Sequence, residues 1–172
     1  MDANTLRDSQ APLKAKYRSD PSTARTALSA RGDYRASAIT CTVDSWAGPV
    51  RAGLHVATGG DGQDACSGDM LLEALLACAG VTLRAVATAM GVPVRSATLR
   101  AEAYFDARGT LGVDRQVPVG VQDVVVTAEL DTEADDATLR RLADATERYC
   151  VVGQSLKVEP RIVVRRAATA KN

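Results

Sequence analysis

The stretch from Asp69 to Met90, DMLLEALLACAGVTLRAVATAM, constrains this chain more than any other. It predicts one long helix: Ser67 or Asp69 lies near the N-cap, Gly91 is placed to end it, and Pro93 bars its continuation. At 100° per residue the polar positions Glu73, Arg84 and Thr88 fall within about 60° of one another, and the rest of the surface is apolar. A helix of that kind must be covered on several sides. Cys78 lies near its middle, roughly 140° round from Glu73, so its thiol is expected inside the protein. What surrounds that sulfur becomes the functional question.

A chain of 172 residues that is 46% hydrophobic can bury one core and is short for two, so a single domain is expected. With 21 acidic and 21 basic residues and no run of either sign, it lacks the electrostatic footprint of a nucleic-acid binder. No basic start followed by an apolar run and a small-residue cleavage site is present, and Glu73 and Arg84 interrupt the apolar helix. The expectation is a soluble, cytoplasmic protein with no membrane partner. Cys41, Cys66, Cys78 and Cys150 form no C-x-x-C pair, and His55 is the single histidine, which argues against a zinc ribbon or a dithiol motif. No metal or cofactor is expected, and the thiols begin reduced.

Taken in order, residues 1–33 carry Leu13, Tyr17 and Leu28 among charged and small residues, with Pro12 and Pro21 as breaks, and predict short surface helices or an arm. From Tyr34 to Trp46 the pattern is that of a strand, in which Cys41 shares a face with Ile39 and Val43 and is expected to face the core. A turn at 47–49 returns the chain as a second strand from Val50 to Ala57. The glycine-rich run from Thr58 to Gly68 contains no G-x-x-x-x-G-K-[ST] and no lysine, so a nucleotide loop is not indicated. Cys66, just ahead of the long helix, would feel its dipole and ranks second for reactivity.

After the helix, strands are predicted over 96–106 and 121–130, joined as a meander by a loop over 107–120. A second helix is predicted over 132–149, with Leu139, Leu142, Ala143, Thr146 and Cys150 recurring every three or four residues. Cys150 therefore points at the core from a helix end. A closing strand follows over 161–164, then a flexible tail over 168–172. Two helices each directing one thiol inward are either inert neighbours or a redox pair, in which a thiolate attacks an oxidant and the second thiol resolves it.

The run LLEALLACAGVTL from Leu71 to Leu83, followed by Gly91, resembles the helix of the OsmC/Ohr family that carries a reactive cysteine within E-L-L-x-A-A-L-A-A-C-x-x-M-x-L. The run YCVVGQSLKVE from Tyr149 to Glu159 resembles that family's second motif, C-P-V-S-x-x-L-K. The resemblance covers roughly residues 34–165 and implies an α+β fold: antiparallel sheets wrapped around a long central helix carrying Cys78, with a second helix carrying Cys150. It further implies a homodimer with sites at the interface, a small hydroperoxide substrate, a thiol reductant, and a role in oxidative-stress defence. On that pattern Cys78 is peroxidatic and Cys150 resolving.

The departures from the pattern are specific. Where the family has a glutamate about ten residues before the cysteine, this chain has Gly68, with Asp69 adjacent as a shorter stand-in, while Glu73 projects from the opposite side of the helix. For the family's arginine, ungapped alignment reaches Thr58, and Arg51 and Arg35 stand in the preceding strands, with Arg51 the candidate and His55 a further polar partner. Val151 and Gly153 replace the proline and serine of the second motif. The competing readings are a pocket that binds a small apolar ligand without turnover and a stress-associated protein in which both thiols only pack.

Overall fold

The computed structural model describes residues 1–34 and 39–168. Arg35, part of the strand expected over 34–46, and most of the expected tail lie outside the described residues. The elements are α1 (Ala3–Ser19), β1 (Arg31–Asp33), β2 (Thr40–Ser45), β3 (Gly48–Gly53), β4 (Ala65–Cys66), α2 (Ser67–Ala89), β5 (Ser96–Tyr104), α3 (Ala107–Thr110), β6 (Gln122–Asp131), α4 (Asp136–Tyr149), α5 (Val151–Gln154) and β7 (Arg161–Arg166). Short 3-10 turns occupy Pro21–Ala24 and Val56–Thr58. They form two compact units: the first comprises Met1–Thr26, Ala74–Glu102 and the chain from Asp123, the second Ala27–Glu73 and Ala103–Gln122.

α2 begins at Ser67, which puts Asp69 in its first turn, where the positive end of the helix dipole suits a carboxylate. It ends as predicted. Gly91 adopts φ 68, its N–H reaches the Thr88 carbonyl at 3.1 Å, and the Val92 N–H reaches the Ala87 carbonyl at 2.9 Å, the paired bonds of a Schellman cap. The burial differs from expectation. Leu75, Ala79, Leu83 and Ala87 are buried at a spacing of four, which makes a single stripe, while Ala74, Ala77 and Val81 are exposed, Val81 by 72%. Among the described residues the expected cover on several sides is thus not supplied. By length and composition α2 could cross a membrane; in this fold its buried stripe is the core of a globular unit.

That core is built on the sheet β5-β6-β7. Along β6, Val124, Val126, Ala128 and Leu130 are buried in strict alternation, the period of a strand with one face covered. Leu83 and Ala87 of α2, Ala128 and Leu130 of β6, and Leu139 and Leu142 of α4 form one buried cluster. α4 starts later than predicted because Asp135 caps it, accepting from the Thr138 N–H at 2.7 Å. Thr132 stays outside the helix: its hydroxyl donates to the Pro93 carbonyl at 2.6 Å and accepts from the Ala134 N–H at 3.2 Å.

Where antiparallel sheets were expected, both sheets contain a parallel pair. β6 pairs with β7 in parallel, placing Val126 opposite Ile162, because the intervening segment contains α4 and is long enough for a crossover. In the second unit, β1-β2-β3-β4 form a sheet in which β3 and β4 are also parallel.

The β2–β3 hairpin turns at Trp46–Ala47, one residue earlier than expected, since Ser45 faces Gly48, whose φ of 124 favours glycine. β3 stops at Gly53, where the prediction ran to Ala57, because His55 caps the 3-10 turn: its Nδ1 accepts from the Ala57 N–H at 3.0 Å. Cys41 is exposed and so is Ile39, by 75%. The face expected in the core is uncovered, because no element of the described second unit lays a fully buried side chain against it. α1 also departs from prediction by running unbroken through Pro12. Proline removes one donor and leaves one carbonyl unpaired, and on a helix with no buried residue water can satisfy that carbonyl.

Candidate functional site

Cys150 sits at a junction of two helices. The apolar stripe of α4 carries it inward, its N–H closes α4 on the Thr146 carbonyl at 2.9 Å, and its Sγ accepts from the Gly153 N–H at 3.4 Å. It is 1% exposed. Gly153 is buried beside it, near enough to Leu75 of α2 that an added Cβ would lie 3.6 Å from the leucine side chain. The turn that follows Cys150 is therefore packed on α2. That packing brings Cys150 to Cys78, which is half-buried; both thiols are free, and Cys150 is hydrogen-bonded to Cys78.

The two sulfurs differ in their surroundings. Burial pushes the Cys78 thiol up, but the Val152 amide, the Cys150 thiol, the Val151 amide and the Thr82 hydroxyl all donate to it, and the net result lies below the ordinary cysteine value. Burial also pushes Cys150 up, the Gly153 amide opposes, and the neighbouring Cys78 charge adds to the rise, so the net result lies above. The two shifts run in opposite directions, favouring the thiolate on Cys78 and the thiol on Cys150. This is the asymmetry that an attacking thiolate and a protonated partner require.

The other candidate residues lie in the second unit. Arg51 on β3 is exposed and ion-paired with Asp64, whose side chain is only 14% exposed. Gly53 makes room for that carboxylate, since a Cβ there would stand 2.8 Å from the Asp64 Cβ. Asp69 and Glu73 are exposed on α2. His55 is half-buried and sets its ring edge-on to Phe105 at 5.2 Å, with Nδ1 engaged in its own turn. Cys66 is half-buried at the end of β4. Among the described residues no group of three or more His, Cys, Asp or Glu is arranged to hold a metal ion.

Sequence reasoning found both thiols and missed their donors and the partner of Arg51. Thr82 was legible, because a residue four positions beyond Cys78 on a helix shares its face. The amides of Val151 and Val152 carry no side-chain signal. Asp64 stands in a glycine-rich loop whose path no periodicity describes.

A model of the OsmC-like protein family matches residues 60–165, which is more than half of the chain and includes both cysteines. The chain belongs to the OsmC-like family. No curated protein matches it by sequence. Among solved structures, an organic hydroperoxide resistance protein from Elizabethkingia anophelis superposes with a TM-score of 0.66 at 13% identity, covering 83% of this chain and 99% of that one. The organic hydroperoxide resistance protein OhrB of Bacillus subtilis gives 0.57 at 12% identity, covering 81% and 98%. An OsmC-like protein from Mycoplasma pneumoniae gives 0.65 at 13% identity, covering 83% and 96%. At such identities the likeness shows a shared α+β fold built on two small sheets and a long helix.

Proposed function

We propose that this protein is a thiol-dependent peroxidase that reduces organic hydroperoxides, and hydrogen peroxide as the smallest of them, in defence against oxidative stress. The observation that carries the reading is that the turn after Cys150 packs on α2 and sets Cys150 beside Cys78, where the two thiols shift each other, Cys78 downward and Cys150 upward from the ordinary value. The names of the two hydroperoxide resistance proteins support it at the level of the family.

The Cys78 thiolate attacks the distal oxygen of ROOH, the O–O bond breaks, and the alkoxide leaves as ROH after taking a proton. Cys78 is then a sulfenic acid. The Cys150 sulfur attacks the Cys78 sulfur, hydroxide leaves as water with the Cys150 proton, and a disulfide forms. Two electrons from a thiol reductant return the pair to its starting state. Arg51 is the proposed cation of the site and Asp69 the proposed carboxylate. The exposed Ala74, Ala77 and Val81 of α2 make a second copy of the chain the proposed cover, in a cytoplasmic homodimer.

The test is a thiol count. Reduced protein exposed to a slight excess of an alkyl hydroperoxide is expected to lose two thiols. Cys78→Ser is expected to lose none in that time, and Cys150→Ser to stop at a sulfenic acid that dimedone traps. Unchanged thiols in the wild type would overturn the peroxidase and leave an inherited scaffold.

A further inference from the structure

The first unit contains a cavity of about 110 Å³ between α2, β5 and β6. Gly80 of α2 lines it, roughly 200° round the helix from Cys78, on the side away from the sulfur. The inner wall is apolar: Leu83 and Ala87 of α2 and Leu130 of β6 are buried there, with Leu99 of β5 half-buried beside them. Arg84 and Ser96, both exposed, supply the polar groups at the rim. An apolar hole with a few convergent polar groups is the usual form of a small-molecule site.

Three details fix what such a site would take. The first is the Arg84 guanidinium, which donates through Nη1 to the Val94 carbonyl at 2.8 Å and is thereby held at the rim. Among the described residues it forms no ion pair, so Nε and Nη2 remain as two parallel donors, the arrangement that matches a carboxylate. Asp2, the acidic residue of a neighbouring hollow that Arg84 also lines, is committed to the Thr5 amide at 2.8 Å.

The second is Gly80. It has no positive φ, and a Cβ there would meet the Leu99 Cδ2 at 3.5 Å, an ordinary contact. Alanine would therefore fit and would favour the helix, so the fold does not call for glycine. What the missing methyl leaves is room in the cavity. The third is size: at about 110 Å³ the hole is smaller than the ~150 Å³ apolar cavity that accepts benzene, which limits the occupant to a tail of about four carbons.

We infer that this cavity binds a short-chain monocarboxylate, with the alkyl tail against Leu83, Leu99 and Leu130 and the carboxylate on Arg84. The site uses neither thiol and goes beyond the peroxidase reading. Its test is a titration of the reduced full-length protein with pentanoate, followed by the NMR shifts of the backbone amides, with pentanol and acetate as partial ligands. Pentanoate is expected to move the amides of Gly80, Leu99 and Leu130 to saturation. Pentanol keeps the tail and should bind about threefold more weakly, the scale of an ion pair open to water. Acetate keeps the charge without the tail and should not saturate.

Arg84→Gln is expected to bind pentanoate and pentanol alike. Gly80→Ala should weaken both while unfolding at higher denaturant concentration, a split that a merely structural role would not produce. A wild type that binds acid and alcohol equally overturns the role of Arg84. Unmoved amides at the three positions overturn the site, whether nothing binds or a second copy of the chain fills the cavity. If Gly80→Ala does not fold, the acid-to-alcohol comparison in the wild type and Arg84→Gln decides alone. Pentanoate binding by a protein whose thiols ignore hydroperoxide would keep this site and remove the peroxidase instead.

Discussion

The two units of this protein are held in shape by different means. Among the described residues the fully buried apolar side chains, Leu75, Ala79, Leu83 and Ala87 of α2, four of β6, Leu139 and Leu142 of α4, Cys150 and Ile162, all belong to the first unit. The second unit has none. It relies on strand pairing, on the Arg51–Asp64 ion pair, and on glycines where the backbone passes close to itself or turns to positive φ. It also leaves Tyr34, Ile39, Trp46 and Val56 exposed. The contrast teaches where the chemistry can be placed. A thiol pair that reacts together needs fixed geometry, and it lies in the unit whose packing fixes it; the charged candidates Arg51 and Asp69 lie in the unit without a buried apolar core.

The comparison can be broken from either side. The largest effect is expected from Leu142→Ala, which empties a position of 0% exposure at the centre of the cluster and should cost about 2–5 kcal/mol in chemical denaturation. A loss below about 1 kcal/mol would mean that the first unit does not depend on its core.

Gly60→Ala comes next. A Cβ there would lie 1.7 Å from the Leu54 carbonyl oxygen, a backbone atom that cannot step aside, so a cost of about 1–3 kcal/mol is expected, with faster proteolysis around residues 54–66. Wild-type resistance would show that backbone fit is not what orders the second unit.

The smallest effect is expected from Trp46→Ala, which removes a fully exposed ring at the hairpin tip. At dilutions where the chain is monomeric its unfolding should change by less than about 0.5 kcal/mol. Sedimentation at micromolar concentration then separates the alternatives: the proposed homodimer should be present in the wild type, and a monomer there would count against a second copy as the cover.

Much of this was legible along the chain. α2 and its Gly91 cap, the stripe of α4, the alternation on β6 and both cysteines of the pair follow from period and punctuation. The failures fall where a residue's environment is set by distant chain. Cys41 had a strand pattern identical to that of a core residue, and among the described residues it is exposed. Pro12 had the signature of a break, and an exposed helix tolerated it. The parallel pairing of β6 with β7 depends on how α4 returns the chain, which no local pattern records.

By itself the sequence determined that a long apolar helix and a shorter amphipathic one each direct a cysteine inward, because helical period is a local property of side-chain spacing. Only the tertiary structure decided that the two sulfurs lie side by side and which of them is shifted toward the thiolate. That outcome depends on the turn after Cys150 being packed against α2 through Gly153 and Leu75, and on amides whose direction is a property of the folded backbone.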